Sequence, residues 1–456
     1  MQQARDKMTA EGVDPVAIEV FSHYYRLVES GETGMVPESS IDPLDMEALA
    51  DVDVPDDVAH DALAGTAVIK LNGGLGTSIG LDRAKSLLQV RSAETGPLSF
   101  LDVIARQVLS LREQHGVRLP LLFMNSFRTR EDTLSTLADY DGLADDDLPL
   151  DFLQNKEPKL RADDLTPVTW EADPSLEWCP PGHGDLYTAL HGSGLLRRLA
   201  EAGFERVFVS NSDNLGAVPD ARVAGWFAAS GAPFAIEAVR RTPNDRKGGH
   251  FARRKSDGRI VLRETAQILD EDKEAFGDPT RHRYMSTNNL WFDIRAMLDV
   301  LQERDGILGL TMIKNLKTVD PSDPESPEVI QIETAMGAAI EVFEGARTVE
   351  VGRDRFVPVK TTNDLLVLRS DCYELDESSV LHQVPDEVPF VDLSSDYKLV
   401  GDFERLVEQV PSLAAAESLT VQGAWTFGPD VRVVGKAVVG PEGAPGRIEH
   451  TVLGQD

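Results

Sequence analysis

Cysteine is almost absent from this chain: Cys179 and Cys372 are the only two in 456 residues. Two such distant cysteines give neither a disulfide framework nor a metal-type spacing, and they fit a reducing cytoplasm. No run of roughly 18 apolar residues occurs, so no membrane span is expected. The opening MQQARDKMTAEG is polar and lacks the apolar middle of a signal peptide. Basic residues are also scarce, 45 Lys and Arg against 77 Asp and Glu. The resulting formal charge of −32 excludes a general nucleic-acid binder, which needs a basic face. Internal repeats and low-complexity segments are missing as well, except in the tail. What remains is an ordinary globular composition, 41% hydrophobic and 27% charged, expected in the cytoplasm.

Glycine, by contrast, is concentrated where it matters. In TAVIKLNGGLGTSIGLDRAKSLLQV, residues 66 to 90, the run Ala67, Val68, Ile69 reads as a short buried strand. Gly73, Gly74, Gly76 and Gly80 follow, and then Lys85. A P-loop would need Gly-Lys-Ser/Thr, and no lysine follows a glycine here. A dinucleotide fingerprint would need its third glycine one residue earlier than Gly80, which argues against a nicotinamide oxidoreductase. The loop is either a phosphate cradle of another kind or a tight turn packed on a helix.

Strand candidates AVIKL, LPLLFM, RVFVSN, APFAIEAV and NNLWFDI alternate with helices, including 99–114 and 186–202. That alternation predicts an α/β fold with a largely parallel sheet and helices on both faces. Residues 1–60 are expected to form an N-terminal helical segment, 61–375 the main domain and 376–456 a C-terminal one. In the tail, Val421, Phe427, Val433 and Val439 recur every six residues, and so do Leu419, Trp425, Val431 and Ala437. Six-residue apolar periodicity predicts a parallel β-helix, with an antiparallel meander as the alternative.

Ligands of open α/β sheets sit beyond the carboxyl ends of strands. Asp213 in SNSDN falls at such an end and is a candidate Mg²⁺ ligand or an Asx-turn residue. Gly182 and Gly184 flank His183 in PPGHGDLY, where the chain could approach a flat group closely. Lys360 follows the stiff run RFVPV as a fixed positive charge or a plain surface lysine. Nine of the 45 basic residues lie between Arg240 and Arg263, in a predicted hairpin that either attracts phosphates or is simply solvated.

Taken in order, KLNGGLGTSIG, MNSF, QNKEPKL, PPGHGDLY, VSNSDNLGA, DRKGGH, STNNLW, IQIETAMGAAIEVF and RFVPVKTTNDLL resemble the eukaryotic-like UTP–glucose-1-phosphate uridylyltransferases, or UDP-glucose pyrophosphorylases. The resemblance covers about residues 20 to 440. Ala84 stands where that family usually has proline, and Ile79 where it has methionine. It implies a Rossmann-like nucleotide-diphospho-sugar transferase domain with a mixed, largely parallel sheet, plus a C-terminal left-handed parallel β-helix. Lys85 and Lys360 would be catalytic. Leu71, Gly73, Gly74, Met124, Gln154, Gly182, His183 and Asp213 would bind the nucleotide, Gln154 by pairing its amide with uracil. His183, Asn211, Gly249, Glu264, Asn288 and Asn289 would bind the sugar, and Asp213 would hold Mg²⁺. The implied partners are UTP, glucose 1-phosphate, UDP-glucose and pyrophosphate, with no nucleic acid, no membrane and a possible homo-oligomer through the C-terminal domain. The rival readings are a pyrophosphorylase for N-acetylglucosamine 1-phosphate or several sugar 1-phosphates, and a non-catalytic nucleotide-binding scaffold.

Overall fold

A computed structural model of the chain describes every residue except 94–95, 243–244, 246–247, 442–445 and 455–456. The strand Thr66–Asn72 forms where β-branched and aliphatic residues leave almost nothing for water, and all but Leu71 of its residues are buried. Its side chains alternate between two hydrophobic cores. Val68 joins Phe123, Phe208 and Trp291 on one face, under the helices Phe100–His115 and Ala221–Ser230. Ala67 and Ile69 join Leu122, Val207 and Phe292 on the other, under the helices Asp185–Gly192 and Leu195–Glu201. Helix Phe100–His115 starts at a capping box made by Ser99 and Asp102 and stops at Gly116, which takes φ 63°. The single helix expected over 186–202 is two, because Gly194 adopts φ 71° between them.

Among the described residues the central sheet has ten strands. Arg206–Asn211, Thr66–Asn72, Leu121–Asn125 and Asp151–Leu153 run parallel, side by side. Tyr284–Asp293 is antiparallel to both Arg206–Asn211 and Phe234–Arg240. His250–Arg254 is antiparallel to Ile41–Pro43 and to Ile260–Arg263. The expectation of a largely parallel sheet is therefore corrected to a mixed one. Between Phe234–Arg240 and Tyr284–Asp293 the chain makes the hairpin of His250–Arg254 and Ile260–Arg263 and the short helix Lys273–Gly277, and it re-enters the sheet at the end it left, so the two strands run antiparallel.

The left-handed β-helix is also corrected. The tail forms a four-stranded parallel sheet, Phe390–Leu393, Ser412–Val421, Val431–Val439 and Thr451–Leu453, beside a two-stranded one. Its turns are unequal: Phe390 pairs with Ser418, Ser418 with Lys436, and Val431 with Thr451. The helix Val400–Leu406 interrupts the first return. Register shifts break the long pairing of Ser412–Val421 with Val431–Val439. The six-residue series is apolar because Val421, Phe427, Val433 and Val439 face inward. Their core is continuous with the one beneath Val68 and Phe123.

Candidate active site

Parallel register brings four strand ends to one edge. Asn211 lies beside Leu71, Leu71 beside Met124, and Met124 beside Phe152. The residues just beyond, Gly73, Gln154 and Asp213, consequently lie along that edge, with Gly73 against Gln154. Gly73 lets the loop lie against Gln154: a Cβ would stand 2.6 Å from its Oε1 and would push that amide aside. The amide of Gln154 donates to the carbonyl of Gly182 at 3.1 Å. Gly182 itself takes φ 79°, and a Cβ would meet the carbonyl oxygen of Thr334 at 2.5 Å. The two glycine-bearing segments thus close on Gln154 from either side to form one slot, and Gly74 faces open space beside it.

His183 borders that slot. Its Nδ1 accepts from the backbone N–H of Met336 at 3.1 Å. The neutral ring therefore carries its proton on Nε2, leaving a donor free. Desolvation pushes its pKa down to about 4. Next to it, burial pushes the Asp185 carboxyl up to about 7, although it accepts from the backbone N–H and side-chain amide of Asn155.

Lys85 anchors the far end of the glycine loop. Its backbone N–H donates to Gly74 at 3.2 Å, and its ammonium donates to Asp213 and to the carbonyl of Val359, each at 2.5 Å. Asp213 in turn accepts through its own carbonyl from the Val359 N–H, and Asn214 accepts from the Val357 N–H at 2.8 Å. These bonds zip the 357–360 segment to the Asp213 loop and leave Lys360 exposed beyond it. Its N–H is capped by Asp364 at the start of helix Thr362–Arg369.

On the other side of Lys360 lies Glu264, whose pKa is raised by burial and lowered in part by that lysine's charge. Gly249 opposes it, since a Cβ there would sit 2.6 Å from Oε2 of Glu264. Asn288 and Asn289 occupy a bulge in the pairing of Tyr284–Asp293 with Phe234–Arg240. Asn288 is held at φ 58°, strained for a residue with a Cβ, and its Oδ1 is buried without a partner among the described residues. Asn289 is fully buried and spends its amide on Glu237 and the carbonyl of Arg355. Asn211 lies partly exposed at its strand end. Met124 is only 2% exposed, its side chain packed in the core, so it borders the slot from beneath.

Three groups escaped sequence reasoning. Glu237 and Arg355 form a buried two-pronged ion pair at 2.6 and 2.7 Å, which also holds Trp291 and Asn289. Lys70, buried in the central strand, has its pKa pushed down to about 7 by desolvation and by Arg355. Its ammonium donates to Ser210 and to the carbonyl of Ala217, on either side of Asp213. A lysine inside an otherwise apolar strand was the available signal. The basic hairpin forms as predicted, but its cations are engaged structurally: Arg254 with Glu341, Arg259 with the carbonyls of Glu341 and Val342, and Arg263 with Glu38 and Asp272. Arg246 and Lys247, the other part of that expectation, lie outside the described residues.

The family model for UTP–glucose-1-phosphate uridylyltransferase matches residues 18–434. The chain belongs to this family. It is 38% identical over 389 residues to the UTP–glucose-1-phosphate uridylyltransferase of Saccharomyces cerevisiae, covering 84% of this chain and 75% of that one. The barley (Hordeum vulgare) enzyme of the same name is 35% identical over 421 residues, covering 90% and 86%. Among solved structures, a mutant UDP-glucose pyrophosphorylase of Leishmania major in complex with UDP-glucose superimposes with a TM-score of 0.90 at 40% identity, covering 99% of this chain and 98% of that one.

Within this family the two departures in the loop are mild. Ala84 has φ −54°, close to the angle that a proline ring fixes, so the backbone keeps its course without one. Ile79 is buried at 3% exposure, filling an apolar position that methionine would also fill. Among the described residues no group of three or more His, Cys, Asp or Glu side chains could hold a metal ion. Asp213 alone, partly exposed and paired with Lys85, suits a hard cation that arrives with phosphates and water and does not suit a resident ion.

Proposed function

We propose that this chain transfers a uridylyl group from UTP to glucose 1-phosphate, giving UDP-glucose and pyrophosphate. The observation that carries this reading is the convergence of Lys85, Asp213 and the Val359–Lys360 backbone beside the slot of Gly73, Gln154 and Gly182. In this reading the Gln154 amide pairs with uracil, donating to a carbonyl and accepting from N3–H, a match that cytosine lacks. Nε2–H of His183 donates to an oxygen of the nucleotide or sugar. Glu264 and the Gly249 backbone take sugar hydroxyls, and Asn288 offers its unpartnered Oδ1.

Glucose 1-phosphate arrives largely dianionic, since the second pKa of a phosphate monoester is about 6. One of its oxygens therefore attacks the α-phosphorus without a general base. Lys85 and Lys360 hold the phosphates in line and offset the charge that builds on the leaving pyrophosphate. Asp213, released from Lys85, would hold Mg²⁺ with the phosphates, and the ion supplies further neutralisation of the triphosphate. No protein nucleophile is needed, and burial raises the thiol pKa of both Cys179 and Cys372, that of Cys179 strongly, away from the reactive thiolate range.

Two finer parts belong to the same proposal. Buried free cysteines favour a reducing compartment, and exposed Val438 and Val452 on the tail sheet favour self-association there. The deciding experiment is pyrophosphate release with UTP, Mg²⁺ and a panel of sugar 1-phosphates. Glucose 1-phosphate should support the fastest release. A faster rate with N-acetylglucosamine 1-phosphate would transfer the assignment to that sugar, and no release with any sugar would favour a binding scaffold.

A further inference from the structure

Arg263 is one of the largest fully buried side chains in the molecule. It donates to Glu38 at 2.5 Å and to Asp272 at 2.7 Å. Glu38 also accepts from Arg281 at 2.6 Å and from Nε2 of His282 at 2.9 Å. The backbone N–H of Glu38 donates to the same oxygen of Asp272, at 2.7 Å, which closes a ring of charges. His282 stacks on His250 with ring centroids 3.7 Å apart, and His250 is the cross-strand partner of Arg263. Burial pushes the Glu38 carboxyl up, but His282, Arg281 and Arg263 more than reverse this and leave it below the ordinary range.

One residue beyond the His250–Arg263 pair lie Gly249 and Glu264, which approach so closely that no Cβ fits at Gly249. The Glu264 N–H donates to the side chain of Gln267 at 2.8 Å, and the Glu264 carboxylate caps the Gln267 N–H in return. The carbonyl of Gln267 accepts from the N–H of Val36 at 2.8 Å. Residues 36–38 therefore grip the chain on both sides of Glu264. No motif in the sequence includes them.

We propose that Glu38 is a positioning residue for glucose 1-phosphate. Through Arg263, and with Val36 on Gln267, it fixes the Glu264 carboxylate against Gly249 at the sugar end of the site. The inference rests on the reading of Glu264 as a sugar contact. It assigns the N-terminal segment a part in sugar recognition and none in binding UTP.

The test is steady-state kinetics of Glu38→Gln and Glu264→Gln, varying each substrate separately, with a thermal melt of each variant. Glu38→Gln should raise KM for glucose 1-phosphate about tenfold, the effect of misplacing a charged hydrogen bond, and change KM for UTP by less than about twofold. Unchanged KM values in a folded Glu38→Gln, with a raised sugar KM in Glu264→Gln, would overturn the proposal alone. An unchanged sugar KM in Glu264→Gln would overturn the reading beneath it. Equal rises for both substrates in Glu38→Gln would mean general loosening and also overturn it. Should Glu38→Gln fail to fold, Glu38→Asp keeps the charge but withdraws it by one methylene. Its sugar KM should rise by a smaller factor with KM for UTP unmoved, and no rise would overturn the proposal.

Discussion

Replacing Lys85 by methionine separates its charge from its packing. The methionine keeps an unbranched apolar stem in place of the lysine's, so the glycine loop should stay closed on Gly74. What is lost is an ammonium with two acceptors at 2.5 Å, Asp213 and the carbonyl of Val359. The side chains of Lys85 and Asp213 are 19% and 23% exposed, so water reaches both in part, and leaving Asp213 and the Val359 carbonyl without their donor costs the fold about 1–3 kcal/mol. Loss of one preorganised charge at the reacting phosphate is larger, about 10²–10³ in kcat, equivalent to roughly 3–4 kcal/mol. Lys85→Met should therefore melt within a few degrees of the parent and turn over about 10²–10³ times more slowly. Continuous measurement of UDP-glucose formation at saturating substrates gives the number. A folded variant with kcat within about threefold of the parent would refute the assignment of Lys85 to the transition state.

Other perturbations address separate parts of the molecule. Glu237→Gln leaves Arg355 buried without its carboxylate, and urea denaturation should report about 3–5 kcal/mol of lost stability. Gly73→Ala pushes a methyl toward Oε1 of Gln154, so KM for UTP should rise about tenfold while KM for glucose 1-phosphate holds. A further consequence follows from His183, whose pKa is about 4 in the folded chain against an ordinary 6.5. Between these values the unfolded chain binds a proton that the folded chain refuses, so stability falls as pH drops from about 6.5 toward 4. His183→Asn keeps an acceptor for the Met336 N–H but cannot titrate, and urea midpoints across that range should fall less steeply than in the parent.

The strands were legible because β-branched runs bounded by turn residues leave little choice of structure, and the glycine loop because Gly73 and Gly182 answer to specific close contacts. Asp213 and Lys360 stood out as candidates by their positions just beyond such runs, whereas Gln154 came only from the family resemblance. Strand direction was not legible, since whether the connection from Phe234–Arg240 to Tyr284–Asp293 crosses the sheet or returns at the same end leaves no mark on either strand's composition. The tail misled for a related reason: inward-facing residues of long parallel strands repeat at an even spacing, whether or not the turns close into a regular coil. Charge pairing was invisible because it is long-range. Glu237 and Arg355 are 118 residues apart, and nothing local distinguishes Arg263, which serves Glu38, from an arginine facing substrate. Asn289 shows the same limit within a strand, where one residue's displacement in a bulge decides between the site and the interior.

Direct transfer between the two substrates is tested most simply by exchange of labelled pyrophosphate into UTP, measured with Mg²⁺ in the presence and absence of glucose 1-phosphate. Direct attack by the phosphate dianion predicts that label enters UTP only when the sugar phosphate is present. Exchange without the sugar would demand a uridylyl-enzyme intermediate and contradict direct attack. No exchange in either condition would contradict the proposed reaction itself.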